Sequence, residues 1–123
     1  MNQDIKKLWV AALRSGEYKQ GKCSLISNNK KQFCCLGVLC DLHSKEFPEN
    51  KWTPYDNDSF IKRLRYMDSM YALPIEVIEW TESRLDLNTV SLTIDGTYSP
   101  LTVHNDSNFK SFDKIADAIE AQL

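Results

Sequence analysis

The chain has 123 residues, of which 42% are hydrophobic and 26% are charged, and its formal net charge is −2. One domain over residues 1–123 is predicted, because two domains of this total length would each have too little core. The composition excludes collagen-like and low-complexity proteins, and the slightly acidic balance argues against extended nucleic-acid binding. Apolar runs are too short for a secretory signal or a membrane span, which predicts a cytoplasmic protein without membrane association.

The charge is unevenly distributed along the chain. Residues 1–31 contain seven Lys or Arg and two acidic residues, a net charge of +5, whereas the remainder contains eight basic and fifteen acidic residues. This basic N-terminal quarter would suit a phosphate or an acidic protein surface. Alternatively, the two parts attract each other across the fold, or the lysines are only solvated.

The first half of the chain predicts two helices. Residues 4–14 place apolar side chains at helical spacing, with Asp4 as N-cap and Gly16 as the left-handed residue after the helix. A short strand at 23–27 follows, and the apolar run over 34–44 favours a buried helix. Gly37 is costly inside a helix, so its predicted use is close approach of another backbone, that of the first helix.

The second half predicts a loop, a short helix, a hairpin and a last helix. Residues 45–59 are rich in Pro, Asn and Asp and predict a long surface loop, and Pro74 begins a short helix. A β-hairpin near residues 90–103 is predicted from alternating side chains and an Asp-Gly turn, and Ser111 caps the last helix. The predicted fold is α+β, with three to four helices packed on a small antiparallel sheet. Leu39 and Ile115 are predicted core residues.

Four cysteines fall at positions 23, 34, 35 and 40, and none forms a C-x-x-C pair. We expect them to be reduced and to bind no metal, and we predict no cofactor. A zinc site from Cys35, Cys40 and His43 is the alternative. A Cys–His dyad is also conceivable, but the apolar run around three of the cysteines raises thiol pKa values and disfavours it.

The segment from Arg14 to Lys22 is the first candidate ligand site, because it is dense in hydrogen-bond donors. Its arginine offers a bidentate fork for phosphate, its tyrosine a stacking ring, and its glutamine an amide that can read a base edge. The predicted ligand-binding residues here are Arg14, Ser15, Gly16, Tyr18, Gln20 and Lys22. The alternative is that Arg14 only neutralises a helix end and that Tyr18 packs.

The second candidate segment precedes the last helix. Asn105, Asp106 and Ser111 are predicted to lie near the first segment, where the N–H groups that begin the helix would help to hold an anion. Asn, Asp and Ser also supply ordinary turn and cap bonds, which is the alternative. Arg14 would then pair with Asp106 as a structural clasp. No catalytic and no metal-binding residues are predicted.

Three stretches carry a resemblance to a known family. They are LWVAALRSGEYKQGK at 8–22, FCCLGVLCDL at 33–42 and LTVHNDSNFKSFDKIADAIE at 101–120. This order resembles a widespread family of small tailed-phage and prophage proteins with no established activity. Cys23 and His104 depart from the residues usual there. The resemblance implies a phage accessory protein that acts inside a bacterium, often against host defence, and it carries over no catalytic residues.

Three functions remain open. The first is a counter-defence binding module that sequesters a small nucleotide-derived immune signal, and it predicts a compact pocket near Arg14. The second is an inhibitor that binds a host defence protein complex through Trp52 and Tyr55, and it predicts an exposed apolar patch. The third is a small Cys- or Asp-dependent enzyme, which needs a base near its nucleophile. The pattern favours no turnover, and a homo-oligomer is left open.

Overall fold

A computed structural model describes residues 1–55 and 63–123, and the elements within these ranges form an α+β fold, as predicted. The helices are α1 (Gln3–Arg14), α2 (Cys35–Glu46), α3 (Ile75–Thr81), α4 (Leu101–Asp106) and α5 (Phe112–Gln122). The strands pair as β1 (Lys19–Gln20) with β2 (Gln32–Phe33), β3 (Thr53–Pro54) with β4 (Leu64–Arg65), and β5 (Ser91–Ile94) with β6 (Thr97–Pro100). The first pair is parallel and the other two are antiparallel. The described strands thus form three separate two-stranded sheets and not the single predicted sheet.

The first helix begins earlier than predicted. Asn2 is its N-cap, and the Asn2 side-chain oxygen accepts hydrogen bonds from the backbone N–H groups of Asp4 and Ile5 at 2.9 and 3.1 Å. The prediction of Asp4 as the cap is therefore wrong, although a carboxylate in the first turn is still favoured by the helix dipole. Gly16 follows the helix with φ +77°, as predicted.

The core lies where α1 packs against α2 and α5. Trp9 is fully buried, and its indole N–H donates to the carbonyl oxygen of Cys35 at 3.0 Å, which satisfies the one polar group that the ring brings into the core. The predicted core residues Leu39 and Ile115 are fully buried. The periodic stripes of the three longer helices thus converge on one hydrophobic cluster.

Gly37 allows the close contact predicted for it, but with a different partner. A Cβ at this position would lie 1.7 Å from the carbonyl oxygen of Leu25, so the approaching backbone is that of Leu25 and not of α1. The predicted strand at 23–27 does not form, and Ile26 makes only an isolated bridge to Phe33. Cys23 has φ +70°, which interrupts any extended run through the segment.

Within residues 45–55, the predicted surface loop contains regular secondary structure. Helix α2 continues to Glu46, and Thr53–Pro54 pairs with Leu64–Arg65. The part of this prediction that falls on residues 56–59 lies outside the described residues.

The hairpin ends sooner than predicted. Its turn at Asp95 and Gly96 has positive φ at both residues, as an Asp-Gly turn requires, but β6 ends at Pro100. Residues 101–103, predicted as strand, instead begin α4, which adds a fifth helix to the three or four predicted. Pro100 precedes a stripe in which Leu101 and Asn105 are buried four residues apart, and this burial selects a helix.

Ser111 caps α5 as predicted, and its hydroxyl oxygen accepts from the backbone N–H of Lys114 at 3.3 Å. The helices of residues 1–55 and 63–123 have 6 to 12 residues, and none is long and apolar enough to cross a membrane.

Candidate ligand-binding groove

Arg14, the anion-binding residue predicted with most weight, is engaged by two carboxylates of α5. Its guanidinium lies 2.6 Å from an oxygen of Asp117 and 3.1 Å from an oxygen of Glu120. Glu120 and Asp117 raise the pKa of Arg14 above its already high ordinary value. The alternative in which Arg14 pairs with Asp106 as a structural clasp is wrong, because the partners of Arg14 lie on α5.

The two residues after Arg14 shape the end of α1. The Ser15 hydroxyl donates to the carbonyl oxygen of Ala12 at 2.7 Å and accepts from the N–H of Glu17 at 3.1 Å. Gly16 supplies the left-handed turn, with open space where a Cβ would be. Both predicted ligand-binding residues thus complete the helix end.

Tyr18 belongs to a polar cluster on α2. Its hydroxyl donates to a carboxylate oxygen of Asp41 at 2.6 Å, and the ammonium group of Lys45 donates to the same hydroxyl at 2.9 Å. Burial and the bond to Asp41 raise the pKa of Tyr18. The ring packs edge-on against Phe33, with 5.0 Å between the ring centroids. In this structure Tyr18 therefore packs, as the alternative has it.

Trp52 is not the exposed aromatic that the sequence predicts. It is half-buried, its N–H donates to Asp41 at 3.2 Å, and its ring lies 5.1 Å from that of Tyr66. The polar loop around Trp52 concealed this packing. More exposed aromatic side chains are Tyr98, at 73%, and Phe109, at 67%.

Asn105 joins the two predicted segments. Its side-chain oxygen accepts from the Gln20 amide at 3.0 Å and from the N–H of Cys35 at 3.2 Å, and its amide donates to the carbonyl oxygen of Gly21 at 2.8 Å. Gln20 also donates to the carbonyl oxygen of Lys110 at 2.7 Å. We call this set the Asn105 clasp. Asn105 is 1% exposed, so its polar atoms form hydrogen bonds within the chain.

The remaining predicted residues lie around this clasp. Asp106 accepts from the N–H of Cys23 at 2.9 Å, and the ammonium group of Lys22 lies 3.5 Å from the centre of the Phe109 ring. Ser111 is occupied as the cap of α5. The predicted site residues thus hold the loop after α1 against α4 and against the start of α5.

A groove between α1 and α5 adjoins Arg14. It has a volume of about 450 Å³, and we call it the α1 groove. Its lining residues are Gln3, Lys6, Lys7, Val10, Ala11, Arg14 and Glu120. The six of these residues that belong to α1 are spaced three and four residues apart, which places them on one face of that helix, and Glu120 lies on α5. Lys6 and Lys7 are at one end, while Arg14 and Glu120 are at the other.

The electrostatics of the α1 groove differ between its ends. Among residues 1–55 and 63–123, no carboxylate lies within ion-pair distance of Lys6 or Lys7, whereas Arg14 has two. The basic N-terminal quarter is evident in the sequence, but Arg14 is the one lining residue that the sequence predicts as ligand-binding. The signal that would have found the rest is the shared helical face of Gln3, Lys7 and Arg14.

Three of the four cysteines lie in the core. Cys34, Cys35 and Cys40 are buried, and Cys23 is exposed. Burial raises the pKa values of the three buried thiols, that of Cys34 to about 11, so they are protonated at neutral pH and are poor nucleophiles. The part of the chain that the structure describes contains no group of three or more His, Cys, Asp or Glu side chains arranged to hold a metal ion.

Comparisons with known proteins give one family match. A family model described as a domain of unknown function, DUF8296, matches residues 1–123. No curated protein and no solved structure matches the chain.

Proposed function

We propose that this chain, which belongs to the DUF8296 family, is a phage-encoded binding module that sequesters a small anionic, nucleotide-derived immune signal without turnover. The proposed site is the α1 groove, where Lys6 and Lys7 hold the anion. The observation that carries the proposal is a groove of about 450 Å³ whose two lysines have no carboxylate partner among the described residues.

The size and lining of the α1 groove suit a small ligand. Its volume falls within the range of about 300 to 1,000 Å³ that is usual for small-molecule sites. Val10 and Ala11 supply an apolar floor between the charged ends, on which a base or sugar can rest. Ammonium groups bind phosphate oxygens through charge-assisted hydrogen bonds.

Binding without turnover fits the groups that line the α1 groove. They are amide, ammonium, guanidinium, carboxylate and aliphatic groups, with no thiol or imidazole among the lining side chains. The buried, protonated thiols elsewhere also support a non-catalytic protein over a cysteine enzyme. The phage origin and the counter-defence role, exercised in the cytoplasm of a bacterial host, rest on the resemblance carried by residues 8–22, 33–42 and 101–120.

Calorimetric titration with cyclic dinucleotides and ADP-ribose derivatives tests the proposal. Replacing Lys7→Ala is expected to weaken binding of the ligand that is found by at least about tenfold, because one charge-assisted bond is lost. The melting temperature should change little, since Lys7 is exposed. The matched control is Lys31→Ala, at an exposed lysine of the same basic quarter that directly precedes β2. Equal affinities of the two variants would overturn the assignment of the site.

The alternative proposal, an inhibitor that binds a host defence complex, is supported by one observation. Leu8 on α1 is 54% exposed, and Tyr98 and Phe109 are more exposed still. Failure of all nucleotides to bind, together with capture of a defence complex that Leu8→Asp abolishes, would favour this function over the first.

A further inference from the structure

We propose that the α1 groove binds a nucleoside phosphate in one orientation, with the phosphate at Lys6 and Lys7 and a hydrogen-bond donor of the nucleoside at Glu120. The donor is either the exocyclic amine of the base or a ribose hydroxyl. This inference rests on the proposed function and specifies the ligand that the same site takes.

The charges at the two ends of the groove set the orientation. Lys6 and Lys7 contribute two positive charges at one end. At the other end, Asp117 and Glu120 contribute two negative charges against the single positive charge of Arg14. A phosphate is therefore attracted to the lysine end, whereas at the Arg14 end it would meet a guanidinium that is already paired and a net negative charge.

Glu120 is the group that accepts from the ligand. A carboxylate offers about four lone-pair sites, and Arg14 approaches the two oxygens of Glu120 at 3.1 and 3.4 Å. The side chain is 60% exposed and lines the groove, so acceptor capacity remains for a ligand. A carboxylate accepts from amines and hydroxyls and repels phosphates, so a second phosphate is disfavoured at this end.

The length of the groove matches a ligand with two different ends. Lys7 and Arg14 are seven residues apart on α1, which corresponds to about 10 Å along the helix axis. Val10 and Ala11 lie between them and present the apolar floor. Inorganic phosphate would reach only the lysine end. A nucleoside phosphate places its ring system over the floor and its donor groups near Glu120.

Calorimetry with AMP and three analogues, each of which lacks one donor group, tests this orientation. The wild-type chain is titrated with AMP, with purine riboside 5′-monophosphate, which lacks the exocyclic amine, and with 2′-deoxy-AMP and 3′-deoxy-AMP, each of which lacks one ribose hydroxyl. We expect AMP to bind about tenfold more tightly than whichever analogue lacks the donor, because the carboxylate then loses a charge-assisted bond. The analogue that loses affinity identifies the donor.

Two exposed variants of α5 separate the role of Glu120 from that of the Arg14 ion pairs. Glu120→Gln should reduce the preference for AMP to less than about threefold. Asp117→Asn is the matched control, since Asp117 also pairs with Arg14 but does not line the groove, and this variant should keep the full preference. A preference that is lost equally in both variants would assign the effect to Arg14 and overturn the inference.

Lys7→Ala distinguishes failure of the inference from failure of the proposed function. Binding that depends on Lys7 but does not distinguish AMP from any of the three analogues, or a preference that survives in Glu120→Gln, overturns the orientation and leaves the proposed function standing. If none of these nucleotides, no cyclic dinucleotide and no ADP-ribose derivative binds, the proposed function falls and the orientation falls with it. If binding is independent of Lys7, the α1 groove is not the site, and the orientation falls while nucleotide binding stands.

Discussion

The backbone of α2 passes so close to Leu25 that position 37 has no room for a side chain. A Cβ there would lie 1.7 Å from the Leu25 carbonyl oxygen and 2.6 Å from the carbonyl carbon. Leu25 cannot easily move away, because two backbone hydrogen bonds hold it. Its N–H donates to the carbonyl oxygen of Met70 at 2.8 Å, and its carbonyl oxygen accepts from the N–H of Cys34 at 3.2 Å. Gly37→Ala is therefore expected to lower the free energy of unfolding by at least about 3 kcal/mol, measured by urea denaturation.

Gly16→Ala provides the comparison for this prediction. Gly16 has φ +77° and open space around it, so an alanine there meets only the backbone cost of a left-handed conformation, about 1 kcal/mol. If Gly37→Ala costs no more than Gly16→Ala, the close contact with Leu25 does not constrain the fold.

Gly37 and Arg14 show that the sequence predicts what a residue can do but not which partner it contacts. A glycine inside an apolar helix signals that something approaches closely, and this was predicted for Gly37. The identity of the partner depends on an irregular segment around Leu25 that has no periodic signal. Likewise, the chemistry of Arg14 was evident, but its partners lie 103 and 106 residues away along the chain.

At the scale of elements, the Asn105 clasp fixes the loop after α1 against α2 and α4. Asn105→Ala would leave the Gln20 amide and the N–H of Cys35 without one acceptor, and the carbonyl of Gly21 without a donor. We expect the free energy of unfolding to fall by about 2 to 4 kcal/mol, since buried polar groups lose their partners. Urea denaturation measures the loss.

Ser107→Ala is the control for the clasp, because Ser107 is exposed and ends the same helix. Its effect should stay within about 0.5 kcal/mol. A stable Asn105→Ala variant that instead binds nucleotide less tightly would restore Asn105 as a ligand-binding residue and would contradict its structural role.

The elements that were predicted well have strong periodic signals. The stripes of α1 and α5 repeat over three turns, and the Asp-Gly turn fixes the hairpin around positions 95 and 96. The two-residue strands at 19–20 and 32–33 are too short to show any alternation. The hairpin predicted near residues 90–103 runs into α4, because the burial that selects this helix is a tertiary effect that the local pattern does not show.

At the scale of the whole molecule, the fold class was accessible from the sequence and the candidate site largely was not. One apolar face per helix is enough to predict helices around a shared core. A groove between two helices depends on how their polar faces meet. Lys6 and Lys7 read as solvated charges until α5 is placed beside α1, and only then does Glu120 contribute to the same surface.

The stability of the whole molecule should fall in two stages on acidification, first through His43. His43 is 4% exposed, and its ring nitrogen lies 2.6 Å from the Tyr66 hydroxyl. Burial lowers its pKa below the ordinary value of 6.5, against the opposing influence of Glu76 and Glu49. The unfolded chain therefore binds this proton more readily, and stability falls as the pH drops below about 6.5.

The second stage involves Asp95, which binds Lys110 and Lys114 at 2.8 and 2.7 Å and so ties the hairpin turn to α5. These two lysines lower the pKa of Asp95 from 3.8 to about 2, so the contribution of Asp95 to stability is complete above about pH 4 and is lost as the pH falls towards 2.

Urea unfolding from pH 8 to pH 2 should show both stages. His43→Gln should flatten only the upper stage and Asp95→Asn only the lower one. Direct titration of the imidazole by NMR provides an independent measurement, and a folded-state pKa for His43 at or above 6.5 would contradict the first stage.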